Sequence, residues 1–137
     1  MNAHTFIACV EQCECCDSSV AIKGDCAISL VQHMNICSGD GSNNRDPTSY
    51  KLESKSITSG KWDFIQEGDI IFPNREIGVK AGETTSPSRE CIQIAVSMDN
   101  FHTEHRITFP TIRGGDIYGS KYYPLEFSGL ALNGMCN

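Results

Sequence analysis

Cys9, Cys13, Cys15, Cys16, Cys26 and Cys37 place six of the chain's eight cysteines within its first 37 residues, and Cys91 and Cys136 stand far downstream. An even number at this density, in a short chain with no cofactor motif, reads as a disulfide framework built in an oxidising compartment. All eight are expected to pair within the chain. Adjacent Cys15 and Cys16 project to opposite sides of an extended backbone and so serve different partners. Cys91 and Cys136 either join each other or reach back to the N-terminal group; the second arrangement is favoured because it staples the later chain to its start. A metal site is the rival explanation, with Cys9, Cys13, Cys15 and Cys16 as thiolates and His33 nearby. Zinc sites of this kind use paired Cys-x2–4-Cys knuckles, and no clean second knuckle follows. No metal and no cofactor are therefore expected.

The 137 residues suit one domain, divided into a cysteine-rich part, 1–37, and a β-rich part, 50–137. Acidic residues outnumber basic ones 17 to 11, for a net charge of −6. That balance argues against nucleic acid as the main partner, because neutralising phosphates needs clustered Lys and Arg. No apolar run approaches the ~20 residues of a membrane span. Met1-Asn2-Ala3-His4 lacks the charged start and apolar centre of a signal peptide. With a cysteine pattern that expects secretion, the simplest account is a secreted protein whose signal is absent from this sequence. A monomer is expected.

Thr5–Val10 is a short β-branched run and reads as a first strand. Asp25–Cys37 reads as the main helix: Asp25 caps the first turn, and Cys26, Leu30, Met34 and Cys37 follow at helical spacing, with Gly39 beyond. Ser38–Ser49 is Gly-, Asn- and Pro-rich loop. Tyr50–Ile57 alternates as a half-buried strand with Tyr50, Leu52 and Ser54 on one face. Lys61–Phe72 and Glu76–Lys80 follow as further strands, and Ala81–Glu90 as loop. Cys91–Met98, apolar on both faces, reads as a central strand. His105–Phe109 and Lys121–Phe127 are two more, the latter interrupted by Pro124. The sum is an α+β fold: an antiparallel sheet of about four to six strands with one main helix, held by disulfides.

No catalytic residues emerge. His102 and His105 lack the His-Glu-x-x-His helix of a metalloprotease and read as surface residues. No Gly-x-Ser-x-Gly elbow occurs. Glu67 with Asp69, and Glu104 with Asp116, are pairs of the type glycosidases use, but solvated loop acids are the ordinary explanation. Trp62 and Phe64 share one side of a strand and read as packing rather than interface. Arg45, Arg113 and Lys121 lie in Gly- or Asn-rich loops, where binding residues concentrate, and are the candidate partner-binding residues.

The N-terminal cysteine cluster, a helix holding Cys26 and Cys37, and a β-rich remainder ending in Cys136 resemble the small secreted avirulence effectors of plant-pathogenic fungi. The layout is most similar to the Leptosphaeria avirulence and suppressing family. That resemblance implies a non-enzymatic effector that promotes plant colonisation by binding a host plant protein and is recognised by an immune receptor. Its recognition surface would be the loops Ser38–Ser49, Glu83–Arg89 and Arg113–Lys121. A secreted protease inhibitor and a killer-toxin-like or antimicrobial protein are the alternatives.

Overall fold

Residues 2–9, 19–23, 26–76, 88–116 and 125–137 are described by the computed structural model. Their order is β1 (Asn2–Cys9), β2 (Ser19–Ile22), β3 (Ser29–Ser38), β4 (Ser49–Lys55), β5 (Trp62–Asp69), a one-turn helix α1 (Pro73–Glu76), β6 (Cys91–Ala95), β7 (His105–Thr108), β8 (Thr111–Ile112), β9 (Gly115–Asp116) and β10 (Phe127–Cys136). A single 3-10 turn, Asn43–Arg45, lies between β3 and β4. Two four-stranded sheets result, ordered β1-β10-β3-β6 and β2-β7-β4-β5, with β8 and β9 as a small hairpin. Every pairing among them is antiparallel.

The two large sheets face each other and bury one apolar layer. Val31, Met34, Ile36, Leu130 and Leu132 come from the first sheet, and Ile22, Leu52 and Ile107 from the second. Each such side chain contributes about 1.5–3 kcal/mol on burial. Phe72, Phe109 and Phe127 close the layer at one end, Phe109 and Phe127 with ring centroids 5.0 Å apart.

The fold is therefore a β-sandwich and not α+β. The expected main helix is replaced: Asp25 lies outside the described residues, and Ser29–Ser38 is β3. The strand carries a bulge. Opposite β10, Val31 pairs with Gly134 and His33 with Asn133, so Gln32 is an extra residue. Val31 and Met34 then both face the core with Gln32 and His33 exposed between them. That three-residue step imitates a helical one. Gly134 permits it, since a Cβ there would lie 1.9 Å from the Leu30 carbonyl oxygen.

Cys91–Ala95 is a strand but not a central one. It ends its sheet's order, with Cys91, Gln93 and Ala95 exposed. Cys26 is bonded to Cys136 and Cys37 to Cys91. The second bond joins residues paired directly across β3 and β6. Cys9 ends β1, while Cys13, Cys15 and Cys16 lie outside the described residues. So do residues 77–80 of the expected Glu76–Lys80 strand and 121–124 of Lys121–Phe127.

The histidines differ most from expectation. His102 is 7% exposed and His105 1%. His105 bridges the sheets, its Nε2 lying 2.6 Å from Ser29 Oγ and its Nδ1 2.7 Å from Ser54 Oγ. One hydroxyl donates and the other accepts, which suits a neutral ring. Burial, with a smaller push from His102, lowers its pKa from 6.5 to about 4. The folded state thus resists a proton that the unfolded chain takes up readily. Its contribution is complete above pH 6.5 and is lost as the pH falls toward 4, by about 3 kcal/mol at ~1.4 kcal/mol per pH unit. Urea midpoints measured across this window should fall steeply in the native sequence and less steeply in His105→Gln. Equal slopes would contradict this account.

Candidate functional site

The end of the sandwich holding the β3–β4, β5–β6 and β7–β10 connections is built from polar groups locked together. Arg75, on α1, is fully buried and forms a two-point pair with Asp46: Nε to Oδ2 at 2.8 Å and Nη2 to Oδ1 at 2.9 Å. Its Nη2 also donates to the Gly41 carbonyl at 2.8 Å and its Nη1 to the Ser88 carbonyl at 3.2 Å. Asn43 Nδ2 donates to the Arg75 carbonyl at 2.9 Å. One guanidinium therefore fixes three chain segments. Burial raises the Asp46 pKa against the opposing pull of the Arg75 hydrogen bond and charge.

The 3-10 turn Asn43–Arg45 forms because Ser42 Oγ accepts the Asn44 N–H and Asp46 closes the turn on the Asn43 carbonyl. The turn is zipped to its neighbours by backbone bonds from Arg113 to Asp46, Gly114 to Asn44 and Glu126 to Arg45. Arg45 pairs with the buried carboxylate of Glu126, which also accepts the Gly41 N–H. Of the three residues singled out for partner binding, Arg45 and Arg113 are thus brought onto the same turn, and Lys121 lies outside the described residues. Loop residues 83–87 and 117–120 also lie outside them.

Beside this turn, where β4 begins and β5 ends, lies an open cleft of about 310 Å³ lined by Ser49, Tyr50, Glu67, Gly68, Asp69 and Pro110. The register puts Lys51 opposite Glu67 and Ser49 opposite Asp69, so both acids stand on the outer face of β5 and not in a loop. Their proximity follows from the strand's two-residue period. The Tyr50 hydroxyl accepts Gln66 Nε2 at 2.7 Å, and Ser49 Oγ lies 2.6 Å from Thr111 Oγ1. The walls are consequently held in place, with the two carboxylates and Ser49 on the outer face and Tyr50, 4% exposed, behind them. The expectation of solvated loop acids for Glu67 and Asp69 is corrected to strand residues; the usable signal is their i, i+2 spacing. Glu104 is drawn away to Lys55, 3.9 Å distant.

Further along the outer face, Phe64 is 59% exposed and was misread as packing. Trp62 is half-buried beneath the Arg106 guanidinium, 4.3 Å from its ring centroid, and Glu53 holds Arg106 at 3.1 Å. Among the described residues no group of three or more His, Cys, Asp or Glu side chains is placed to hold a metal ion, and no helix is long and apolar enough to cross a membrane.

No protein-family model matches the chain, and no curated protein matches it. Solved structures do. The module CBM32-3 of a family 31 glycoside hydrolase from Clostridium perfringens is 18% identical, with a TM-score of 0.58 over 85% of this chain and 66% of that one. A family 32 carbohydrate-binding module of C. perfringens NanJ, solved in complex with galactose, is 16% identical, with a TM-score of 0.53 over 84% and 65%. The family 32 module of Streptococcus pneumoniae EndoD is 11% identical, with a TM-score of 0.51 over 83% and 67%. The chain spans about two thirds of the length of these neighbours. The likeness is one of fold, and it overturns the effector reading together with the inhibitor and toxin alternatives: a sandwich shared with carbohydrate-binding modules replaces the sheet-and-helix layout on which that resemblance rested.

Proposed function

We propose that this chain is a non-catalytic, extracellular carbohydrate-binding domain whose cleft lies between β4, β5 and Pro110. The observation that carries the reading is the sandwich's likeness, over more than four fifths of the chain, to modules that bind carbohydrate, one of them holding galactose. The cleft supplies what a neutral sugar needs. Glu67 and Asp69 accept hydroxyl hydrogen bonds, Ser49 donates or accepts, and Pro110 offers apolar contact. The two disulfides among the described residues fit an oxidising compartment.

A glycan array followed by calorimetric titration with galactose-type saccharides tests this. Glu67 and Asp69 are exposed and make no contact that the core depends on, so Glu67→Gln/Asp69→Asn should keep the native melting temperature. The same double variant should bind at least about ten-fold more weakly, since hydrogen bonds to charged groups are worth ~1.5–3 kcal/mol. An array on which no saccharide is retained would refute the reading.

A further inference from the structure

We propose a second saccharide site at the opposite end of the sandwich, in a cleft of about 290 Å³ between the β4–β5 turn and the β6–β7 connection. One wall carries Ser56, Ile57, Thr58 and Asp63; the other carries Asn100, Phe101 and His102. The proposal rests on the carbohydrate-binding reading for its class of ligand, but its residues are separate from the first cleft's.

The walls are fixed before any ligand arrives. Ser56 Oγ accepts the N–H groups of Thr58 and Ser59, the Gly60 N–H returns to the Ser56 carbonyl at 3.0 Å, and Gly60 takes φ +68° to close the turn. Opposite, His102 and Ser29 exchange backbone hydrogen bonds, both 2.8 Å. The walls are tied to each other as well, with the Lys55 N–H on the Glu104 carbonyl and the Thr103 N–H on the Lys55 carbonyl. A preformed site of this kind loses little freedom on binding.

The lining selects the ligand. It holds one carboxylate and neither Lys nor Arg, which disfavours phosphates, sulfates and acidic sugars. An aliphatic ligand would bury the Asp63 carboxylate and the Asn100 amide against apolar atoms, whereas the Ser56 and Thr58 hydroxyls already bond each other at 3.1 Å. A neutral pyranose satisfies both sides, its hydroxyls on Asp63 and Asn100, its C–H face against Phe101 and Ile57, which is 52% exposed. His102, 7% exposed, backs the cleft wall, and its buried Nδ1 has no hydrogen-bond partner. Asp63 and Asp69 stand six residues apart on β5, roughly 20 Å at ~3.3 Å per residue. One molecule would thus hold two glycan ends at once.

Amide chemical shifts of the isotope-labelled full chain, titrated separately with galactose, N-acetylgalactosamine and glucose, test the proposal. Two separate groups of shifts are expected, one around Glu67 and Asp69 and one around Asp63 and Asn100. Asp63→Ala/Asn100→Ala, both exposed positions, should abolish the second group, reduce the stoichiometry from two to one and leave the first group unchanged. Shifts at the first cleft alone would overturn the second site while sustaining the proposed function. Shifts at the second alone would sustain this site and remove the first. Shifts at neither, with all three sugars, would overturn both.

Discussion

Arg75→Ala is expected to lower the unfolding free energy by about 3–5 kcal/mol, the cost of leaving a buried partner charge uncompensated. Arg75 has no exposed side-chain surface and Asp46 almost none. Its removal strands the Asp46 carboxylate and frees the Gly41 and Ser88 carbonyls at once. Arg75→Met/Asp46→Leu should be less damaging than Arg75→Ala, because both charges leave together and the volume is retained. Urea denaturation of the native chain and both variants checks this. A loss below about 1 kcal/mol for Arg75→Ala would show that the pair is solvated and not buried.

Removing the Cys26–Cys136 bond has the other large expected effect. The bond closes a loop with a sequence separation of 110, against 54 for Cys37–Cys91. In the chain-entropy account, a loop on the order of 100 residues is worth about 4–5 kcal/mol, and a shorter one somewhat less. Cys26→Ser/Cys136→Ser should therefore melt lower than Cys37→Ser/Cys91→Ser when the two are compared at the same pH. The reverse order would locate the stabilisation in the folded state instead of the unfolded one.

How far the sequence discloses this molecule depends on whether a residue's role is local. β4 was legible because Tyr50, Leu52 and Ser54 alternate cleanly inward, the irregularity in its ladder with β5 putting the extra residue, Ile65, on β5. β3 was not, because Leu30, Met34 and Cys37 fall at helical spacing although only Met34 of the three is fully buried, and the extra residue Gln32 interrupts the strand's alternation. Phe127–Cys136 was missed although Leu130, Leu132 and Cys136 all point inward. Gly129 and Gly134, weak strand formers, break up its apolar pattern. In Ser38–Ser49 the absence of apolar residues gave the loop, yet Asn43 and Asp46 are buried there. Their partner, Arg75, lies about thirty residues away, and no periodicity announces such a pair. His105 read as exposed for the same reason: the serines that accommodate it come from β3 and β4.

The place of β10 carries a consequence for synthesis. It is hydrogen-bonded on one side to β1 and on the other to β3, so one of the two interior strands of its sheet is also the last described strand in the chain. While a ribosome is still adding residues before Phe127, β1 and β3 have nothing between them, and their facing edges stay unpaired. The second sheet has all four of its strands by Thr108, as does the Cys37–Cys91 bond its cysteines. The first sheet and the Cys26–Cys136 bond must wait for Phe127–Cys136. Assembly is therefore vectorial only in its first half, and the decisive pairings are the most distant in sequence, the circumstance in which loop closure makes folding slow and nascent chains most need shielding.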